Sequence, residues 1–532
     1  MGAPHTHLDD IPKIVGSLHA TFATGKTKPA AWRRDQLKKL YNFIMEQESI
    51  LAEALYKDLK KDTNAVMGDI NTVSREVAHT LEHLDEWMKP DATQRTLFTL
   101  FDNNKVLAQP KGVVLIIGAW NYPFLLTLGP MVCALAAGNC IVLKPSEVAT
   151  HSEAVLVEWL PRIFDTDAVK VVTGGVKETT ALLQQKFDHI FYTGNGTVGK
   201  IIMTAAAKHL TPVTLELGGK SPVYVHNDVN VDVIAKRLMW GKLYNAGQTC
   251  IGPDYLLVHK DIAAKLTPAL RKAVKDLYSS DVKSAPHFGK IINENHTKRL
   301  ANVLERQLAL SHSTVVMGGE YDVKQQYVAP LIVSNVRESD PLMEDELFGP
   351  LLPIITVENE DEAIKIINRR YEFTTKPPKR DYSDHPLSLY VNTNNKAVVR
   401  KFESDTRSGT ISVNDFLVNM VISDLPFGGV GASGMGAYHG EFGFRTFSHQ
   451  RAMVWRGADP FSELMHQLAY PPFSLQPIPD KLLKYFTGHA MPSDAYVAFK
   501  RYVPVRLIVS LVGLGLAFEI GRRVGRGGPF FT

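Results

Sequence analysis

At 532 residues the chain is too long for one hydrophobic core, so two or three domains are expected. Its 45% hydrophobic and 21% charged residues are those of an ordinary folded protein, and a net charge of +4 is too mild to argue for a nucleic-acid partner. Three cysteines exclude a disulfide framework, point to a reducing compartment and leave at least one thiol free.

No charged start followed by an apolar run opens the chain, so no secretory signal is read, and the Met-Gly beginning fits a myristoylation pattern only loosely. Residues 29 to 90 have helical periodicity: Leu37, Leu40, Tyr41 and Ile44 share one face, as do Ile70, Val73 and Val77. From Gly112 the period changes. The runs "GVVLIIGAW", "NCIVLKPS", "VKVVTGG", "HIFYTG" and "VTLELGG" read as strands, and "FLLTLGPMVCALAAG", "SEAVLVEWL", "ETTALLQQ" and "KIIMTAAAKH" as the helices between them. Continuous apolar strands alternating with helices predict a parallel sheet covered on both faces, the doubly wound α/β pattern. A second strand–helix series runs from about Ser221 to Asp424, interrupted by a polar, Pro- and Lys-containing stretch within 368–391 that reads as a surface loop. No repeat of fixed period is present.

Chemistry-bearing residues gather where these strands end. Cys250 in "YNAGQTCIGPDY" sits among polar and glycine neighbours, a poor setting for a core side chain, whereas Cys133 and Cys140 in "MVCALAAGNCIVL" read as small buried hydrophobes. Glu216 closes an apolar strand; desolvation there raises a carboxyl pKa and suits a general base, and a salt-bridged strand end is the plainer alternative. Asn121 in "AWNYP" can donate to an oxyanion or cap the following helix. Gly194, Gly196 and Gly199 in "YTGNGTVGK" follow a strand and open a helix, the setting in which such glycines bind a pyrophosphate, or form a plain turn. Lys144 and Glu147 in "LKPSE" offer an ammonium and a carboxylate to ribose hydroxyls, or form a solvated turn. Glu346 and Phe348 lie beside a Gly-Pro turn in "EDELFGPLLP". No metal-ligand spacing is read.

Taken in order, "AWNYP", "LKPSE", "YTGNGTVG", "LELGGKSP", "NAGQTC", "EDELFGPLLP" and "LPFGGVGASGMG" resemble the aldehyde dehydrogenase superfamily over residues 10 to 455. Glu216 and Cys250 are 34 residues apart, a spacing the family keeps. The ending "GEFGFRTFSH" resembles the class 3 branch, and within it the fungal fatty aldehyde dehydrogenases and β-apo-4′-carotenal oxygenases. The resemblance implies the aldehyde dehydrogenase fold: a doubly wound NAD-binding domain at 1–218 (with 91–111 contributing to an oligomerisation element), a catalytic domain at 219–424, an oligomerisation segment at 425–455, an extension at 456–500 and a hydrophobic tail at 501–532. It implies Cys250 as nucleophile, Glu216 as the base that activates the hydrolytic water, and Asn121 with the Cys250 backbone N–H as oxyanion donors. NAD is the implied cofactor, its adenosine ribose on Lys144 and Glu147, its pyrophosphate bordered by Gly194, Asn195 and Gly199, its nicotinamide riboside positioned by Glu346 and Phe348. The substrate would be a long hydrophobic aldehyde, fatty or apocarotenal, and the assembly a homodimer.

Two departures stand out. Asn195 replaces the usual Ser, and the histidines often present after Asn414 in class 3 enzymes are absent. The stretch 372–384 is also longer than usual. Beyond residue 455 the chain becomes Pro-rich, then apolar: Leu507–Phe518 is an uncharged run of 12 residues, and Tyr502–Ile520 spans 19 with Arg506 and Glu519 near its ends. Basic residues flank it, which favours a membrane anchor over a buried helix and places the catalytic part at a membrane, facing the cytoplasm. Competing expectations are an acyl-transferring enzyme that releases its product to coenzyme A, and an idle structural protein on the same fold.

Overall fold

The computed structural model describes residues 2–94, 99, 102–369, 385–459 and 463. Five apolar runs of the first series are strands: β1 (Val113–Ile117), β2 (Cys140–Lys144), β3 (Val169–Val171), β4 (His189–Thr193) and β5 (Val213–Glu216). They pair in parallel in the order β5-β4-β1-β2-β3, and the two-residue strand Gly434–Met435 joins β5 antiparallel. Every residue of β1, β2 and β4 is buried, which is why these strands read as unbroken apolar runs rather than as alternation. The connecting helix Leu125–Ala137 is buried along its whole length, and both Cys133 and Cys140 lie in this core as free thiols.

The second series forms another sheet from β6 (Pro222–Val225), β7 (Tyr255–His259), β8 (Thr314–Met317), β9 (Leu331–Ser334), β10 (Leu351–Val357), β11 (Ser388–Asn392) and β12 (Thr410–Val413). Its order is β8-β9-β10-β7-β6-β11-β12, parallel except for the β8–β9 edge. The periodic region 29–90 is three helices, Ala30–Glu46, Glu48–Leu59 and Thr63–Trp87. The first break falls at Gln47, the second at Lys60, whose φ of 53° ends the helix in a left-handed cap. Leu37, Leu40 and Ile44 are buried as expected, but Tyr41 is not: it is 36% exposed, and Phe43 fills the core instead. The buried stripe is centred on the Leu40–Phe43 side, which leaves Tyr41 on its flank where the phenol reaches water.

The chain divides into two compact units, Met1–Pro90 with Leu107–Arg451, and Asp91–Val106 with Ala452–Thr532. The first holds both large sheets. In the second, Asp91 and Ala92 pair antiparallel with Val106 and Lys105, Arg456 bridges Asp102 at 3.0 Å, and the Asn103 N–H donates to the Trp455 carbonyl at 2.8 Å. Within 368–391 the helix Glu360–Arg369 and strand β11 flank the unusual polar stretch, whose residues 370–384 lie outside the described ones; so does the apolar run from Leu507. Among the described residues no helix is long and apolar enough to cross a membrane.

Candidate active site

The loop that carries Cys250 is bent in a way few sequences allow. After the helix Val231–Leu243, Asn245 (φ 53°, ψ 36°), Ala246 (φ 52°, ψ 31°) and Gly247 (φ 76°) are three consecutive left-handed residues. Each non-glycine in that region costs about 1–2 kcal/mol. Side-chain hydrogen bonds offset the cost. Asn245 Nδ2 donates to the carbonyls of Asn121 (2.9 Å) and Gln248 (3.1 Å). The fully buried Gln248 donates to the carbonyls of Asn245 and Lys290, each at 3.0 Å, and accepts from the Ile292 N–H at 3.0 Å. Gly247 also packs on backbone: a Cβ there would stand 2.3 Å from the Gly349 carbonyl oxygen. Asn245, Gly247 and Gln248 thus each answer a need of this bend, and Ala246 carries its strain.

The bend presents Cys250 partly exposed, with a free thiol. Thr249 Oγ1 meets the Tyr122 hydroxyl at 2.6 Å, and the Tyr390 hydroxyl donates to the Ile251 carbonyl at 2.6 Å, so both flanks of the cysteine are pinned. Burial pushes the thiol up to about 12; the carboxylates of Glu346 and Glu216 push the same way, and the backbone N–H groups of Ile251 and Cys250 oppose them. The thiol must therefore lose its proton to a nearby acceptor before it can attack a carbonyl.

Asn121 does not cap a helix. The N-terminal amide of the following helix, Leu125 N–H, is served by Asp69 Oδ1 at 2.7 Å, while Asn121 Nδ2 donates to the Gln248 carbonyl at 3.1 Å beside Cys250. A primary amide has two N–H donors, so this bond leaves one for a ligand. Asn121 is held from behind by Lys61, whose ammonium donates to its carbonyl at 2.8 Å, to Asp69 Oδ2 at 2.9 Å, and lies 4.0 Å from the centre of the Tyr122 ring. Lys61 and Asp69 have no solvent-exposed side-chain surface. Lys61→Met should therefore cost about 3–5 kcal/mol, because it strands a buried carboxylate, and urea denaturation of the variant measures the loss.

Glu216, at the end of β5, is 2% exposed, and neither carboxylate oxygen has a hydrogen-bond partner among the described residues. The salt-bridge alternative fails. Burial holds its pKa well above the usual carboxylate range. Glu346 lies close by: a Cβ on Gly218 would come within 2.2 Å of its Oε2, so only glycine lets this carboxylate approach the end of β5. Burial, then Asp254, raise Glu346 to about 8. The segment bearing Glu346 and Phe348 is tied to the cysteine loop by Asp254, which accepts from Lys220 Nζ at 2.7 Å and from the Leu347 N–H at 3.2 Å. Phe348 itself adopts φ 48° and packs edge-on against Trp120 at 5.4 Å; Trp120 in turn faces His296 at 4.9 Å.

At the other rim, Lys144 ends β2 and pairs with Glu147; its side chain is 4% exposed and that of Glu147 39%. A solvated turn does not bury a lysine. Asn195 caps the helix Gly196–Ala207 by accepting from the Val198 N–H at 3.0 Å, which engages its side-chain oxygen and not its amide N–H groups. Gly199 packs the helix close, 3.1 Å from Leu217 Cδ2 to a Cβ position, and Gly194 donates to the Glu216 carbonyl at 3.0 Å. A Cβ on Gly196 would meet nothing within 4 Å, so the helix start faces open space. A cation, a carboxylate and a helix N-terminus that opens on free space, all at the strand ends of one sheet, fit a dinucleotide.

All the predicted site residues thus fall into two groups, Asn121, Glu216, Cys250, Glu346 and Phe348 in one, Lys144, Glu147, Gly194, Asn195 and Gly199 in the other. Lys61, Asp69, Lys220, Asp254, Trp120 and His296 were missed. Asp254 stood inside the quoted "CIGPDY", and a carboxylate so near the cysteine was the available signal.

A dinucleotide-binding rim joined to a cysteine and an unpaired buried acid is the framework of an NAD(P)-dependent oxidoreductase. The chain belongs to the aldehyde dehydrogenase family: the sequence profile of that family matches residues 2–453. It is 44% identical over 461 residues to rat (Rattus norvegicus) aldehyde dehydrogenase family 3 member A2, covering 86% of this chain and 91% of that one. It is 43% identical over 466 residues to the mouse (Mus musculus) "aldehyde dehydrogenase, dimeric NADP-preferring", covering 87% and 98%. A Staphylococcus aureus AldH in its substrate-bound state superposes with a TM-score of 0.81 at 34% identity, covering 90% of this chain and 99% of that one. The protein is accordingly an α/β oxidoreductase that acts on aldehydes with NAD(P).

Proposed function

We propose that this enzyme oxidises a long-chain hydrophobic aldehyde, fatty or apocarotenal, to the carboxylic acid with NAD. The observation that carries the chemistry is the pairing of Cys250 with a buried Glu216 whose oxygens are unpartnered. Cys250 Sγ, its proton given up to water, adds to the aldehyde carbon, and the free N–H of Asn121 with the Cys250 backbone N–H takes the oxyanion. NAD(P), when bound, would supply the hydride acceptor there, and Cys250 would carry the oxidised carbon as a thioester. Glu216 then takes a proton from water, the hydroxide attacks the thioester, and the acid departs as the thiol is restored. Lys144 and Glu147 would hold the adenosine ribose, and Glu147 would repel a 2′-phosphate, which favours NAD over NADP. Glu346 and Phe348 border the nicotinamide riboside.

The substrate class rests on the branch resemblance and on the apolar tail: an aldehyde dissolved in lipid is reached best by an enzyme held at a membrane with its catalytic part in the cytoplasm. The homodimer rests on the mouse relative's name. A product assay with NAD over aldehydes of increasing chain length, apocarotenals included, tests the reading; a preference for short aldehydes overturns the substrate class. Release to coenzyme A is the second reading, and a requirement for coenzyme A in turnover would establish it. Deleting residues 501–532 should move the enzyme from membranes to the soluble fraction while short-aldehyde turnover persists, since each buried CH₂ contributes about 0.8 kcal/mol to membrane binding. Fractionation of both forms measures it, and a full-length protein that is already soluble would sink the anchor.

A further inference from the structure

Behind Lys144 stands an acid with no part in the steps above. Glu153 occupies the first turn of the helix Thr150–Ile163, where acidic residues are common because the helix dipole favours them, but such residues normally face water. Glu153 is 4% exposed, and its Oε1 has no hydrogen-bond partner among the described residues. Burial raises its pKa, Lys144 lowers it, Glu147 raises it, and His5 and a hydrogen bond from the Gly174 backbone N–H lower it. Glu153 therefore lies close enough to Lys144 and Glu147 to feel both charges.

The same strand and helix ends are packed by the segment Gly2–His7. Gly175 brings its Cβ position within 3.9 Å of Glu147 Oε1. Thr173 beside it donates from Oγ1 to the Pro4 carbonyl at 2.6 Å and from N–H to Thr6 Oγ1 at 3.0 Å, and it accepts the Thr6 N–H at 3.1 Å. Gly2 lies against Thr150, with 3.7 Å between its Cβ position and Thr150 Cγ2, and His5 Nδ1 stands 3.3 Å from Glu178 Oε1. The segment Gly2–His7 thus bridges Thr150, at the start of the helix that carries Glu153, and Thr173, just past the end of β3.

One carboxylate beside one ammonium is neutral; a second carboxylate makes the cluster net negative, and solvent screens a buried charge such as that of Glu153 poorly. We propose that Glu153 is a specificity-determining residue, which together with Glu147 admits a nucleotide with a free 2′-hydroxyl and rejects one with a 2′-phosphate. The proposal rests on the reading that Lys144 and Glu147 receive the adenosine ribose.

Calorimetric titration of wild type, Glu153→Gln and Glu153→Ala with 5′-AMP and with 2′,5′-ADP tests it without turnover. Both substitutions should raise affinity for 2′,5′-ADP relative to 5′-AMP by about tenfold, equivalent to about 1.4 kcal/mol. The NAD-to-NADP ratio of kcat/KM should fall in parallel. An unchanged affinity ratio, or an equal loss of both ligands as expected of a merely structural residue, overturns the proposal. Lys144→Ala separates the two levels: it should weaken both probes. If 5′-AMP binds it as tightly as wild type, the adenosine site itself is elsewhere and the underlying reading fails.

Discussion

Cys250→Ala should lower kcat/KM for aldehyde oxidation by at least ~10⁴-fold, the scale seen when a covalent nucleophile is removed, while NAD still binds. The cofactor groups, Lys144, Glu147 and the start of the helix Gly196–Ala207, owe nothing to the thiol. The loop around it is held by Asn245 and Gln248, not by Sγ, so the substituted chain keeps its bend. Quenching of protein fluorescence by NAD and a product assay on the same preparation check both halves. Substantial acid formation by the purified variant would remove Cys250 from the chemistry.

Glu216→Gln separates the two halves of the reaction. Hydride loss does not need water to be deprotonated, but thioester hydrolysis does, so the variant should give a pre-steady-state burst of NADH followed by a steady rate slower by ~10²–10⁴-fold. The pH profile supplies a second check. A carboxyl whose pKa is raised by burial works as a base only above that raised value, so wild-type turnover should climb with pH through it. The glutamine variant should lose that limb. Disappearance of the burst together with the steady rate would reassign Glu216 to activating Cys250.

Much of the scaffold could be read without coordinates because parallel strands buried on both faces leave continuous apolar runs, as in "VVLII" and "CIVLK". The motifs marked the strand ends, and Cys250, Glu216 and Asn121 do meet around one loop. What stayed hidden were partnerships between distant polar residues. Nothing in "DLKKDT" says that Lys61 is sealed from water or that it grips a carbonyl 60 residues onward; a lysine beside other charged residues reads as surface. Tyr41 failed for the opposite reason. Periodicity locates a stripe, but a residue at its margin is placed by what packs opposite, and there the core chose Phe43.

The left-handed run Asn245–Gly247 also bears on when the enzyme becomes reactive as it folds. Locally that run is uphill, and its compensating contacts come from Asn121, 124 residues earlier, from Lys290, 42 residues after Gln248, and from Gly349. Those contacts require long loops to close first, each at an entropic cost. A chain still being synthesised, with Gly349 not yet in place, would keep Cys250 in a relaxed loop with its oxyanion donors dispersed. The oxyanion donors therefore come together around Cys250 only once both sheets have formed.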